Sequence, residues 1–219
     1  MPCVIFDVDG TLIGGESQDW KCFDQAIMAI LGFMPGTEFY RTLKEVTAQA
    51  IAEHAVQTAK RILGTGLEEQ IQDEFLRRLR EVHSVNPSAF PPRNGAAELL
   101  AYLNTIPGWD IAIATGDWHP TISFKLSAAG LDISGYPIAT SSDSNRRSEI
   151  IRLAAQRAGT PLSEVVYVGD GVWDLKACRE LGVRFIGAGS RTEHLVNAGA
   201  NCIIKSFEKD VFLKALGAI

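Results

Sequence analysis

Short apolar runs that stop abruptly at small or acidic residues recur along this chain, and they constrain its fold more than any other feature. Cys3 to Val8 is rich in β-formers and ends in Asp7-Val8-Asp9-Gly10-Thr11. Asp110 to Ala114 ends in Thr115-Gly116-Asp117, and Val165 to Val168 ends in Gly169-Asp170-Gly171. Runs this short and this uniformly apolar suit strands covered on both faces. From Gly95 onward they alternate with helical patterns. Residues 119 to 129, 147 to 158, 175 to 181 and 193 to 198 have helical spacing, with further short strands at 138 to 140, 184 to 186 and 202 to 204. The alternation predicts an α/β fold of three layers, a parallel sheet between two sets of helices.

Residues 14 to 87 break this rhythm. Trp20, Phe23, Ile27, Ile30 and Leu31 recur at helical spacing, then Leu43, Val46, Ala50, Ala55, Ala59, Ile62 and Leu63, then Leu67, Ile71, Phe75, Leu79 and Val82. No strand pattern interrupts them, so an all-helical segment of roughly 75 residues is inserted after the first strand. Pro87, Pro91 and Pro92 mark the return linker, where helices cannot continue. The expected organisation is a discontinuous α/β core, residues 1–13 and 88–219, with a helical cap domain at 14–87. The insertion lies beside the C-terminal end of the first strand, the side on which open parallel sheets bind ligands.

Charge and composition exclude several classes. Hydrophobic residues make up 46% of the 219, enough to fill a core and too many for a disordered chain. The 26 acidic residues outnumber 21 basic ones, and no basic stripe is present, so nucleic acid is not an expected partner. No apolar run is long enough to span a bilayer, so no membrane is expected either. The N-terminus lacks a charged start and a signal-length apolar stretch, which predicts a cytoplasmic protein. Cys3, Cys22, Cys178 and Cys202 show no metal or disulfide spacing and are expected as buried thiols. A dinucleotide fold is disfavoured, because the first strand ends in acids and not in a glycine-rich phosphate loop.

Asp7 and Asp9 are two apart at a strand end, where their carboxylates repel unless a cation holds them or they share a proton. Gly10 permits a tight turn there. Asp170 ends another strand, with Asp174 four residues on in a first helical turn, and Thr115-Gly116 ends a third. Together these tips suit a hard cation such as Mg²⁺ and a phosphate, carboxylates serving the metal and hydroxyl and N–H groups the phosphate oxygens.

The opening Asp7-Val8-Asp9-Gly10-Thr11-Leu12 resembles the signature of the haloacid dehalogenase-like hydrolases, a superfamily dominated by phosphatases. Thr115, a basic residue near 147 and Gly169-Asp170-Gly171-Val172-Trp173-Asp174 follow in that family's order, and the helical insertion is similar to its small cap. The resemblance covers essentially the whole chain and implies a Rossmann-like core. It lies nearest the phosphoglycolate phosphatase-like branch. It implies that Asp7 attacks phosphorus to form an aspartyl-phosphate, and that Asp9 protonates the leaving oxygen and then activates water. It further implies Mg²⁺ held by Asp7, the Asp9 carbonyl, Asp170 and Asp174, and phosphate held by Thr115, Gly116 and the Gly10 turn. The substrate so implied is a small phosphorylated metabolite, and the protein a monomer or homodimer. Asp9 favours ester chemistry over dehalogenation, which needs no leaving-group acid.

Two departures matter. The family's third motif normally carries a lysine; here Asn145-Arg146-Arg147-Ser148 has none, and its spacing from Asp170 favours Arg147 as the replacement, with Arg146 in reserve. A guanidinium keeps the charge but is a wider, forked group. The second is Gly14-Gly15 at the cap junction, which suits a hinge and removes polar groups that would otherwise face substrate. Trp118, Trp20 and Arg41 are candidates for substrate or cap contact, with Lys44 and His54 beside them; Trp20 also fits a helix core, and His119 reads as a helix start. The competing readings are a sugar phosphate mutase, a phosphonate-cleaving relative using Lys44 or Lys60, and a non-catalytic small-ligand binding protein of the same fold.

Overall fold

A computed structural model describes residues 2–59, 65–189 and 192–217. Lys60, Ile62 and Leu63 lie outside the described residues. In chain order the elements are β1 (Cys3–Phe6), α1 (Glu16–Leu31), α2 (Thr37–Arg41), α3 (Ala48–Thr58), α4 (Leu67–Val85), α5 (Ala96–Leu103) and β2 (Asp110–Ala114). They continue with α6 (His119–Ala128), β3 (Ile138–Ala139), α7 (Arg147–Arg157), β4 (Val165–Gly169), α8 (Val172–Leu181), β5 (Arg184–Ala188), α9 (Glu193–Asn197), β6 (Ile203–Ile204) and α10 (Lys209–Gly217).

The six strands form one parallel sheet in the order β3-β2-β1-β4-β5-β6. Alternation along each strand divides the core in two. Val4, Phe6, Ile111, Ile113, Val166 and Val168 face a layer containing α5, α6 and α10. Cys3, Ile5, Ala112, Ala114, Val165 and Tyr167 face α7 and α8. This period-two division of nearly continuous apolar strands is what a doubly covered sheet requires. Chain direction across the sheet reverses at β1, with β2 on one side and β4 on the other. The crevice beyond their C-terminal ends is the topological switch point where such folds place ligands.

The cap, α1 to α4, has its own apolar cluster, in which Phe23, Ile27, Ile51, Ile71 and Phe75 are buried. Sequence reading missed α2, a five-residue helix too short to carry a recognisable period. The cap sits over the C-terminal end of the sheet. Phe23 stacks on the core residue Trp118, ring centroids 5.6 Å apart, and Phe124 of α6 packs into the same cluster. Its two connections to the core run side by side: Gly14 N–H donates to the Pro91 carbonyl at 2.8 Å, Arg93 N–H to the Leu12 carbonyl at 2.8 Å, and Ile13 bridges Pro92 in antiparallel sense.

Gly15 caps α1 with φ +97, and a Cβ there would lie 2.3 Å from the Ala89 carbonyl oxygen. Gly15 is therefore needed where the two linkers touch, whereas a Cβ on Gly14 would meet Pro91 Cγ only at 3.4 Å. Gly15→Ala is expected to destabilise the fold by about 1–3 kcal/mol, read as a lowered urea midpoint; a midpoint unchanged from wild type would contradict the close approach. All four cysteines are unpaired, three of them buried. Among the described residues, no helix is long and apolar enough to cross a membrane.

Candidate active site

Three strand tips and one helix start build the site. Asp7 directly follows β1, its N–H donating to the Val168 carbonyl at 2.9 Å, so pairing with β4 fixes its position. Asp170 follows β4. Asp174 lies in the first turn of α8, where its carboxylate accepts the Gly171 N–H at 3.0 Å, a helix-start position that favours negative charge. One carboxylate oxygen from each of Asp7, Asp170 and Asp174 lies within 4.8 Å of the other two. Gly10, at φ +82, makes room for this arrangement: a Cβ on it would lie 2.1 Å from Asp170 Oδ2. Its observed part is spatial, for it lies beside Asp170 and not on the wall of the cavity.

Arg147 opens α7 and is 5% exposed. Its Nη1 donates to Asp7 Oδ1 at 3.3 Å, its Nε lies 3.4 Å from Asp174 Oδ1, and its Nη2 donates to the Val46 carbonyl of the cap at 3.2 Å. Arg146, one residue earlier, points elsewhere and pairs with Glu180 on the surface at 2.9 Å. Tyr167 adds a hydroxyl 3.3 Å from Asp174 Oδ1. One guanidinium against three carboxylates leaves the cluster short of positive charge. Burial first, then Asp174, holds the Asp7 carboxyl well above the usual carboxylate range, with Arg147 acting in the opposite direction. The same causes, with Glu16 in addition, push Asp170 up to about 8. Three convergent oxygen donors that resist ionising together are a good fit to a divalent cation, which accepts hard oxygen ligands and removes the repulsion.

The Asp9 carboxylate does not join that cluster. Its Oδ1 accepts from Lys125 Nζ at 2.6 Å. Lys125 has no exposed surface, yet its ammonium also contacts Asp19 Oδ1 at 2.7 Å and Asp117 Oδ2 at 2.8 Å. Burial alone would lower the lysine's pKa, but Asp117, Asp19 and Asp9 outweigh it and hold the group charged. Burial in turn raises Asp9, with Lys125 pulling it back, and raises Asp19 to about 7. Sequence reading missed this ammonium. The available signal was a lysine inside the apolar stripe Ile122, Lys125, Leu126, where a solvated charge does not belong.

Between core and cap these groups enclose a cavity of about 200 Å³. Asp7, Asp9, Thr115, Gly116, Arg147 and Asp170 form its core side. Thr115 is fixed by its N–H donating to the Ala139 carbonyl at 3.1 Å, and the Gly116 carbonyl accepts Ala48 N–H of the cap at 2.7 Å. The structure sorts the cap-side candidates into those at the cavity, those under the cap and those on the surface. Trp118 is buried, stacked on Phe23 with its Nε1 donating to Gln49 Oε1 at 2.9 Å, and it does not line the cavity. Arg41 is on the surface beside Glu38. Lys44 borders a separate depression, and His54 meets Thr42 on the outside of the cap. Trp20, which fits a helix core by its spacing, is instead 36% exposed and on the cavity wall. Loss of polar groups at the junction is offset by Glu16, which lines the cavity too.

Comparison with known proteins gives this arrangement a context. A family model described as haloacid dehalogenase-like hydrolase matches residues 1–182. A phosphoglycolate phosphatase of Cereibacter sphaeroides is 27% identical over 193 residues, covering 84% of each chain. Among solved structures, a hydrolase from Pseudomonas syringae superposes with TM-score 0.78 at 21% identity, covering 100% of this chain and 99% of that one. A variant of CbbY from Rhodobacter sphaeroides, in complex with xylulose-(1,5)bisphosphate, superposes with TM-score 0.67 at 23% identity, covering 95% and 96%. With a family model spanning most of its length and an aspartate cluster at the tips of β1 and β4, the chain belongs to the haloacid dehalogenase-like hydrolases.

Proposed function

We propose that this protein is a Mg²⁺-dependent phosphatase that hydrolyses a small phosphorylated metabolite through an aspartyl-phosphate on Asp7. The observation that carries the reading is the division of labour among the acids. Asp7 sits with Arg147, Asp170 and Asp174, while Asp9 is held apart on Lys125. This separation supports a reading in which one carboxylate attacks and a second transfers protons.

An Asp7 oxygen attacks phosphorus, and the bond from phosphorus to the ester oxygen breaks as Asp9 delivers its proton to that oxygen. The alcohol leaves, Asp9 is now ionised, and it takes a proton from the water that attacks the phosphoryl group. The bond from phosphorus to Asp7 then breaks, releasing phosphate and restoring both carboxyl groups. Burial, which raises Asp9, favours the protonated form needed first, and Lys125 favours the ionised form needed second. Thr115, the Gly116 N–H and Arg147 bind the nonbridging oxygens and stabilise their charge. Asp7, Asp170, Asp174 and the Asp9 carbonyl would hold Mg²⁺, which when bound would supply positive charge to offset repulsion between the phosphate and its carboxylate nucleophile. The cap, residues 14–87, acts as a separate unit that opens at Gly14-Gly15 and the 87–92 linker and excludes water when closed.

A screen of small phosphate esters with Mg²⁺, and again with chelator, tests the proposal. Phosphate release that depends on Mg²⁺ is expected, and its absence for every ester would contradict it. Mg²⁺ should also raise the thermal midpoint by mass action. Asp170→Asn is expected to remove most of that rise, and titration calorimetry showing wild-type Mg²⁺ affinity in this variant would overturn the metal assignment.

A further inference from the structure

We infer that the ester accepted by this site has a small, uncharged, apolar leaving group and no second anionic group. This rests on the phosphatase reading above and narrows it. The core side of the cavity is committed to the phosphoryl group, so the leaving group must face the cap. There the wall is made by Trp20, Phe23, Ile51 and Phe75, and its charged members are Glu16 and Asp19. Both are acids.

Among the described residues, no basic side chain on the cavity wall is free to answer a second anion. Arg147 is the one basic residue on the wall, and its guanidinium is already placed against Asp7, Asp174 and the Val46 carbonyl. Lys125 is sealed beneath Asp9, Asp19 and Asp117. Arg93 is paired with Glu16, and Arg78 with Glu74 and Gln25.

A carboxylate or second phosphate in this space would be desolvated against aromatic side chains, beside Glu16 and Asp19, whose cations Arg93 and Lys125 are already engaged. A buried charge without a partner of its own is penalised. An alkyl or small aromatic alcohol meets no such cost and buries its surface against the same rings. The cavity volume of about 200 Å³ is below the ~300–1,000 Å³ typical of drug-sized sites and favours a small alcohol. The site thereby differs in its demands from one built for phosphoglycolate, whose carboxylate would stand against this wall, or for a sugar bisphosphate.

The test is kcat/KM with saturating Mg²⁺ for n-propyl phosphate, phenyl phosphate, phosphoglycolate and xylulose-1,5-bisphosphate. The two apolar monoesters are expected to exceed the other two by at least about 100-fold, the scale of rejection produced by an unmatched buried polar group. In Trp20→Arg, which places a cation on the cap wall at a partly exposed position, phosphoglycolate is expected to improve about 10-fold relative to n-propyl phosphate. Equal or better turnover of phosphoglycolate or the bisphosphate by the wild-type protein would overturn this inference while leaving the phosphatase reading intact. No Mg²⁺-dependent hydrolysis of any of the four would remove the phosphatase reading itself, and this inference with it.

Discussion

Arg147→Ala is expected to lower turnover of a phosphate ester by about two to three orders of magnitude, the scale seen when one donor to a developing oxyanion is removed. Arg146→Ala is expected to leave it within about twofold, because surface ion pairs such as that with Glu180 contribute little. The contrast follows from burial. Arg147 is enclosed between Asp7, Asp174 and the cap carbonyl of Val46, while Arg146 is largely solvated. Removing the buried guanidinium also leaves two carboxylates without their cation, a change that costs about 3–5 kcal/mol when nothing replaces it. Arg147→Lys separates the two effects, since it keeps the charge and loses the fork. It should recover much of the stability and part of the rate. Steady-state turnover and urea midpoints for the three variants check this, and equal losses in both alanine variants would contradict the assignment.

Lys125→Met is expected to destabilise the protein by about 3–5 kcal/mol, because one fully buried ammonium neutralises three carboxylates drawn from core and cap. Asp9 and Asp117 belong to the core and Asp19 to α1, so this lysine also ties the cap to the core. The partner test is a double substitution. Lys125→Met with Asp19→Asn removes the ammonium and one of the acids it serves, and is expected to be more stable than Lys125→Met alone. A urea midpoint for Lys125→Met equal to wild type, or no recovery in the double variant, would show that the three acids do not depend on this residue. The pH sign is also defined. The folded lysine's pKa is raised above its unfolded value by its acidic partners, so its stabilisation is fully present below that unfolded value, about 10.5. It is lost only as pH rises through the still higher folded value.

The parallel sheet was legible in the sequence because strands such as Val165–Gly169 are short, apolar on both faces and bounded by glycine and acid. Asp7, Asp170 and Thr115 were legible for a related reason. Each stands at a strand tip, and in a parallel sheet all such tips meet at one edge, so order along the chain already implies proximity. What remained hidden depends on packing between elements distant in sequence. Trp118 and Trp20 carry the same side chain on amphipathic helices or their starts. Only the seating of α1 over α6 decides that the first stacks on Phe23 and the second borders the cavity. Lys125 was hidden for another reason: a single sequence gives every lysine a default place in water. Its three acids come from a loop after β1, from the first turns of a cap helix and from the tip of β2.

The measurement that bears most directly on the account is detection of a phosphoryl group on Asp7. An aryl phosphate needs no proton on its leaving oxygen, so Asp9→Asn protein with Mg²⁺ should still be phosphorylated by it, yet hydrolyse the product slowly for want of a base. After rapid quenching, peptide mass spectrometry is expected to find the phosphoryl increment on the peptide containing Asp7, and to find none when Asp7→Asn is added. An unmodified Asp7 peptide during measurable turnover, or Asp7→Asn protein that hydrolyses esters at the wild-type rate, would contradict it.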